Sequence, residues 1–491
     1  MRCVAGGDGK RRRMARWRCL PRGGRWLLCG GLWSAEGKHA LHVLAFLLFL
    51  LLFEWVSGGL RFGSGQTEEA EVDAVGRYGY VGAFILYLMR VASLLVLPQC
   101  IFNMLGLLCF NAFRDKVHLN GTPLLAPLVC VRVVTRGDYP DLVKANLERN
   151  LRTCLAAGME NFILEVVTDN PLNLPPNPRV REVVVPWSYR TKTGALFKAR
   201  ALQYCLEDDV NVLGEEDWLV HLDEETLLTE NAVCGILNFC MDGKHQFGQG
   251  LITYANDHIV NWITTLSDSY RVADDMGKLR FQFYAFHKPL FGWKGSYVVT
   301  QVGAEKRVTF DHGRDGSVAE DCFFSMIAFR DGYSFNFVEG EMHEKSPFTF
   351  WDFLQQRKRW LQGIFLVVHS AEIPCRIKVL LALSLYAWAS IPFTTSQVVL
   401  AAAMPLPRHA VFDFLVAYVG AVNVYMYIFG VVKSFSHRYR ARPYKLVLYT
   451  LGALFAIPFN IWIENLAVLW GMCGRKHQFY VVQKDYRAFT V

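Results

Sequence analysis

Three short stretches hold the side chains that could do chemistry: His221-Leu222-Asp223-Glu224-Glu225, Ala319-Glu320-Asp321 and Gln356-Arg357-Lys358-Arg359-Trp360. Their types suit a reaction in which a diphosphate leaves and a hydroxyl takes its place. The leaving diphosphate needs counter-charge, from a metal held by carboxylates and from an arginine, and the incoming hydroxyl needs a base. An extended or turning segment places Asp223 and Glu225 on one side, as a hard divalent ion (Mn2+ or Mg2+) requires of oxygen ligands. Asp321 is then the candidate general base. On a helix, Gln356, Arg359 and Trp360 fall at i, i+3 and i+4 and share a face. There a guanidinium can grip a diphosphate and an indole can stack on a sugar ring.

Each stretch also has a plainer reading. Residues 223–225 would make an ordinary acidic loop, and Glu320 and Asp321 suit a first helical turn on electrostatic grounds alone. Arg357 and Lys358, with Phe353, would suit a basic amphipathic helix on a membrane surface. His221 is read as structural rather than as a ligand. Lys192-Thr193-Gly194-Ala195-Leu196 is a weaker candidate, with Lys192 near nucleotide phosphates and Gly194 permitting close backbone approach. Gly292-Trp293-Lys294-Gly295-Ser296-Tyr297 has turn chemistry with an aromatic tip suited to an acceptor cleft. His312, Asp315 and Met342 to Lys345 are read as loop residues.

The elements that must position these groups are legible as an alternation. Residues 127–134 read as a buried strand, and helical spacing of Leu142, Val143, Leu147, Leu151, Cys154 and Leu155 follows over 139–159. Further strands are expected at 162–167, 180–185 and 218–222. This pattern implies a mostly parallel α/β sheet with ligands at the carboxyl ends of its strands, where Asp169 and Asp223 both fall.

Either side of this soluble middle the composition changes. The chain has 491 residues, 52% of them hydrophobic, and long uncharged runs lie towards both ends. Membrane segments are expected at 40–60, 78–113, 377–404, 411–432 and 446–472, flanking a domain at 120–375, with tails at 1–39 and 473–491. The first run is read as an uncleaved anchor in preference to a signal peptide. The net charge of +8 is concentrated in residues 1–39, which hold ten Lys/Arg against Asp8 and Glu36. This argues for a topology signal and against a nucleic-acid binder. It keeps the N-terminus and the middle domain in the cytosol, with the acidic loop 61–77 (Glu68, Glu69, Glu71, Asp73) outside. Five crossings would leave the C-terminal tail outside, against its basic residues Arg475, Lys476, Lys484 and Arg487. The Asn120-Gly121-Thr122 sequon would then face the cytosol and stay bare. Thirteen scattered cysteines with no Cys-x-x-Cys pair suggest neither a zinc site nor a disulfide framework.

Taken in order, Asp169, Asp223-x-Glu225, Glu320-Asp321 and Gln356-x-x-Arg359-Trp360 resemble the inverting family-2 glycosyltransferases, over about residues 125–370. The resemblance implies a GT-A-like domain flanked by transmembrane helices. It also implies contacts for the matching positions: Asp169 with the nucleotide base, Asp223 and Glu225 with the metal and diphosphate, Asp321 with the acceptor proton, and Gln356, Arg359 and Trp360 with the diphosphate and acceptor lip. Glu225 departs from the pattern, since many relatives carry a second Asp there. Three strings, His221 to Thr226, Phe291 to Ser296 and Glu341 to Pro347, are similar to the egghead-type β-1,4-mannosyltransferases of invertebrates. That similarity implies transfer of mannose from GDP-mannose to the glycolipid glucosylceramide, by a multi-pass protein of the endoplasmic reticulum or Golgi. A processive polysaccharide synthase of the same family, or a catalytically inactive membrane scaffold, are the alternatives; product mass separates the first and mutation of Asp321 the second.

Overall fold

In a computed structural model, residues 34–60, 73–114, 116–254, 259–436 and 438–484 are described. Glu68, Glu69, Glu71, Arg487 and most of the basic N-terminal stretch lie outside these residues.

The centre is a seven-stranded sheet. In chain order its strands are β1 (Val129–Thr135), β2 (Phe162–Thr168), β3 (Val180–Val184), β4 (Trp218–Asp223), β5 (Phe247–Thr253), β6 (Val298–Gln301) and β7 (Phe335–His343). Their spatial order is β3-β2-β1-β4-β6-β5-β7. Every pairing is parallel except those of β6, which runs against both β4 and β5. β1, β2 and β4 are β-branched or aliphatic almost throughout and buried on both faces, as strands covered by helices must be.

Two buried polar side chains interrupt that apolar layer and are answered within it. Arg132 of β1 donates to Glu165 of β2 (2.6 Å), and His221 of β4 pairs with Glu305 (2.7 Å). The His221 ring is thus taken up by Glu305 inside the fold. Leaving one partner of such a buried pair alone costs several kcal/mol, roughly 3–5.

Helices α1 (Ala35–Ser57), α2 (Ala74–Ala92) and α3 (Leu97–Cys109) precede the sheet. Within it run α4 (Pro140–Ala156), α5 (Phe197–Tyr204), α6 (Glu230–Asp242), α7 (Trp262–Asp274), α8 (Val302–Val308), α9 (Glu320–Arg330) and α10 (Phe350–His369). After it come α11 (Val379–Ala389), α12 (Ile391–Ala403), α13 (Ala410–Phe435) and α14 (Pro443–Cys473). Among the described residues, Ala35–Ser57, Ala74–Cys109, Ala410–Phe435 and Pro443–Cys473 are long and apolar enough to cross a membrane; α11 and α12 add a fifth only as one span bent by 53°. Pro392, near the start of α12, supplies no amide hydrogen at that bend.

α14 meets the domain that holds the sheet at both of its ends. Trp262 stacks on Tyr449 near its start, and Gln362 of α10 donates to the Gly471 carbonyl near its finish. The segment after it continues along the same domain: His477 pairs with Asp315 (2.6 Å), and the Tyr480 hydroxyl donates to Asp352 (2.8 Å). The tail, expected on the opposite side from the middle domain, thus packs against it.

Candidate active site

β1, β2 and β4 end at one edge of the sheet, with Thr135 opposite Thr168 and Val134 opposite Asp223. Asp169 and Asp223 leave that edge from the strands on either side of β1. Two strand spacings put them about 10 Å apart, the reach of a nucleoside with its phosphates.

Asp223 accepts from the Lys198 ammonium (2.6 Å), which also donates to the Gly295 carbonyl (3.1 Å) and stands 3.8 Å from Glu320. The Asp223 side chain is 41% exposed and opens onto a cavity. Loss of bulk water raises its carboxyl, but the charge and hydrogen bond of Lys198, with Lys484 and Arg359 beyond, outweigh that and hold it below the usual range. Glu225 accepts from Lys484 (2.5 Å); here burial wins over the lysine, and the carboxyl is raised. Glu224, between them, accepts from Lys484 (2.7 Å) and from the Thr135 hydroxyl at the end of β1.

Asp321 lies in the first turn of α9, where its carboxylate accepts from the Cys322 amide (2.7 Å) and its carbonyl from the Trp293 indole (2.7 Å). Burial raises it, against the Cys322 amide, Lys198 and Arg359. Burial, then the Asp321 charge, pushes Glu320 up to about 7. The 292–297 turn ties the two acidic groups together. Ser296 accepts from the Asp223 amide (3.3 Å), and a Cβ added at Gly295 would stand 3.0 Å from Asp321 Oδ2. Any side chain at 295 would press on the candidate base, which would have to give by a few tenths of an ångström.

α10 starts at Thr349, whose hydroxyl accepts from the Asp352 amide (3.0 Å) and fixes the helix register. Gln356, Arg359 and Trp360 all line the cavity from this helix. Gln356 Oε1 and Arg359 Nε are buried without a hydrogen-bond partner among the described residues, so both are available to a ligand. Trp360 carries the guanidiniums of Arg271 (4.5 Å) and Arg357 (4.8 Å) over its ring.

The cavity therefore gathers Asp169, Asp223, Glu225, Asp321, Gln356, Arg359 and Trp360. It does not gather Lys192, which is exposed and absent from the lining. The cation at the carboxylates is Lys198, carried inward by α5. Sequence reasoning missed Lys198, Lys484 and Glu344. Glu344, read as a loop residue, accepts from the Thr226 hydroxyl (2.6 Å) and is pushed up to about 7 by burial, then by Glu225 and Asp223.

A metal ion fits this donor set in one respect and is limited in another. Asp223 and Glu225 offer hard oxygen ligands, and each already holds a lysine ammonium, a stand-in for positive charge. Among the described residues, no three His, Cys, Asp or Glu side chains converge closely enough to hold an ion by themselves. Diphosphate oxygens and water would have to complete the shell, as Mg2+ sites commonly arrange.

The cavity, about 1550 Å³ in volume, does not end at these groups. It continues between α11, α12, α13 and α14, where Leu381, Ile391, Val398, Val419, Ile457 and Ile461 face it. The same helices also line it with Asn423, Asn460, Glu464 and Thr395, so the arm is largely but not wholly apolar, and it shares one space with the acidic groups.

Residues 218–433 match the family described as Glycosyl transferase family group 2. The chain is 66% identical over 452 residues to the β-1,4-mannosyltransferase bre-3 of Caenorhabditis elegans, covering 92% of this chain and 99% of that protein. It is 60% identical over 454 residues to the β-1,4-mannosyltransferase egh of Drosophila melanogaster, again covering 92% and 99%. Among solved structures, the mannosyltransferase PcManGT from Pyrobaculum calidifontis, in complex with GDP-Man and Mn2+, is similar at a TM-score of 0.45 and 13% identity, over 79% of this chain and 99% of that one. With such identity along nearly the whole of both proteins, the chain belongs to the bre-3 and egh family of β-1,4-mannosyltransferases.

Proposed function

We propose that this protein moves mannose from GDP-mannose to the 4-hydroxyl of the glucose in glucosylceramide, with inversion, at a membrane of the endoplasmic reticulum or Golgi and with its catalytic domain in the cytosol. The observation that carries a lipid acceptor is the continuous cavity, whose apolar arm lies between α11, α12, α13 and α14 while its polar end holds Asp223 and Asp321. A ceramide's chains suit the arm, and its sugar then meets the carboxylates without leaving the bilayer. Mannose as the sugar follows the names of the relatives, and guanosine diphosphate as its carrier follows the motif resemblance.

Asp321 takes the proton of the acceptor hydroxyl. The oxygen forms its bond to the anomeric carbon from the face opposite the diphosphate. The bond from that carbon to the diphosphate oxygen breaks, and its electron pair leaves with GDP. Arg359 and Lys198 face the charge that develops there, and Gln356 orients the acceptor through its unpartnered oxygen. A Mn2+ or Mg2+ ion held by Asp223 and Glu225 would add counter-charge for the leaving diphosphate.

The test is transfer by the detergent-solubilised protein from labelled GDP-mannose and a panel of UDP-sugars, with glucosylceramide and Mn2+ present. Mannosylated glucosylceramide from the wild type, with a rate roughly 10²–10⁴ lower for Asp321→Asn, is the expected result. Transfer from a UDP-sugar instead, a polymeric product, or an unimpaired Asp321→Asn would overturn donor, acceptor or base respectively.

A further inference from the structure

Beyond the carboxylates, the cavity opens at the edge of β2 and β3 on a side chain that the reaction has not used. Trp187 is 86% exposed, among the most exposed large apolar side chains in the catalytic domain, and it forms part of the cavity wall. Its backbone is nonetheless held. Arg190 donates to the Trp187 carbonyl (2.7 Å) and to the Tyr189 carbonyl (2.8 Å), while the Tyr189 amide closes a turn onto the Pro186 carbonyl (3.0 Å). The Tyr189 ring packs on Tyr204 of α5 (4.8 Å). A fixed backbone thus presents a bare indole at the cavity's rim.

The same turn is tied to the residue expected at the base. Arg200 of α5 lies within 3.5 Å of the Pro186 carbonyl and is paired with one oxygen of Asp169. The Asp169 side chain is 40% exposed and lines the cavity, and a carboxylate can accept about four hydrogen bonds in all. Guanine offers two adjacent donors, N1–H and the 2-amino group, on one edge; uracil offers a single N–H between two carbonyls. A carboxylate beside a flat aromatic surface therefore matches the purine edge for edge and face for face.

We propose that the Trp187 indole is the platform on which the donor's base stacks, and that with Asp169 it selects guanine over uracil. This rests on the guanosine-diphosphate donor of the proposed function and adds the residues that choose it. A purine's two fused rings cover more of an indole than a pyrimidine's one, so stacking here discriminates as well as binds.

The experiment is equilibrium binding of GDP, IDP and UDP to the full chain in detergent with Mn2+, for wild type, Trp187→Ala and Trp187→Phe. In the wild type, affinity falls from GDP to IDP, which lacks the 2-amino group, and again to UDP. Trp187→Ala weakens GDP about ten- to hundredfold and UDP much less, and Trp187→Phe recovers most of the loss. Because the ring is exposed, the substitution removes no core packing. Equal affinity of the wild type for UDP and GDP would overturn the inference together with the guanosine donor. A GDP preference left intact in Trp187→Ala would overturn the Trp187 assignment alone. So would unchanged nucleotide binding with weakened association to phosphatidylcholine vesicles, which would make the ring a membrane anchor.

Discussion

The Lys484 ammonium donates to both Glu224 (2.7 Å) and Glu225 (2.5 Å), residues 260 and 259 positions earlier in the chain. All three side chains are largely buried. With Lys198 on Asp223, every carboxylate of the first acidic cluster is neutralised by a lysine from another part of the fold. Two acidic groups in a shielded cavity repel strongly, so these lysines hold the site together whenever no other cation does.

Removing one of them should therefore expose that repulsion. Lys484→Met is expected to lower the midpoint of thermal unfolding by several degrees in EDTA, because breaking a buried ion pair leaves uncompensated charge. Added Mn2+ should restore most of the loss in the variant and stabilise the wild type less. Differential scanning fluorimetry with and without metal reads both. Identical curves for the two proteins in chelator would show that Lys484 carries no such load.

Gly295 offers a geometric test of the base. An added Cβ would approach Asp321 Oδ2 to 3.0 Å and its Cβ and Cγ to 3.4 Å, so the carboxylate must give by a few tenths of an ångström. Misplacing a reacting group by about 1 Å can cost roughly a hundredfold, and this shift is a fraction of that. Gly295→Ala should lower kcat about three- to tenfold and leave GDP affinity within about threefold of wild type. Steady-state kinetics with an independent GDP binding measurement separates the two. A fall in binding with kcat intact would place the turn's role in donor binding.

The sheet's first four strands were legible because Val129 to Thr135, Phe162 to Thr168, Val180 to Val184 and Trp218 to Asp223 are mostly β-branched or aliphatic runs. β5 and β7 carry Gly248, Gly250 and Gly340, and β6 has four residues; none has a run long enough to declare itself. The acidic stations could be read because each lies within one short segment whose local geometry is set by neighbours in sequence. Their cations could not. Lys198 differs from the exposed Lys192 only in lying on α5, and Lys484 arrives from the far end of the chain. Both pairings are made by tertiary folding, which leaves no periodic trace. Glu344 was passed over for the same reason, since its hydrogen-bond partner Thr226 and its like-charged neighbour Glu225 belong to another loop.

The pH profile should report the burial of the two adjacent carboxyls on α9. As the proposed base, Asp321 works only when ionised, and burial raises it, so the rate should be lost as pH falls through a value above the ordinary aspartate range. The Asp321 charge, after burial, raises Glu320 to about 7, so Glu320 is already neutral where Asp321 takes up its proton. Lys198 lowers Asp321, so Lys198→Met should move the acid limb of kcat/KM for acceptor to higher pH, while Glu320→Gln should leave it in place. Profiles over roughly pH 5 to 9 for the three proteins read the shift. A limb that moves down in Lys198→Met, or that shifts in Glu320→Gln, would mean that Asp321 is not the group being titrated.

The apolar arm makes the last prediction, because it separates a lipid's chains from its sugar. Val419 faces the cavity from α13, well away from the carboxylates in sequence and on a different element. Val419→Phe narrows the arm without touching the groups that bind the donor or hold the proton. Overfilling a packed site costs about 1–3 kcal/mol, so KM for long-chain glucosylceramide should rise about five- to a hundredfold. A short-chain alkyl glucoside, whose tail stops before the constriction, should be mannosylated at the wild-type rate, which also shows that the variant is folded. GDP affinity should not change. If both acceptors suffer alike, the arm does not hold the lipid's chains, and the ceramide must approach the carboxylates from another side.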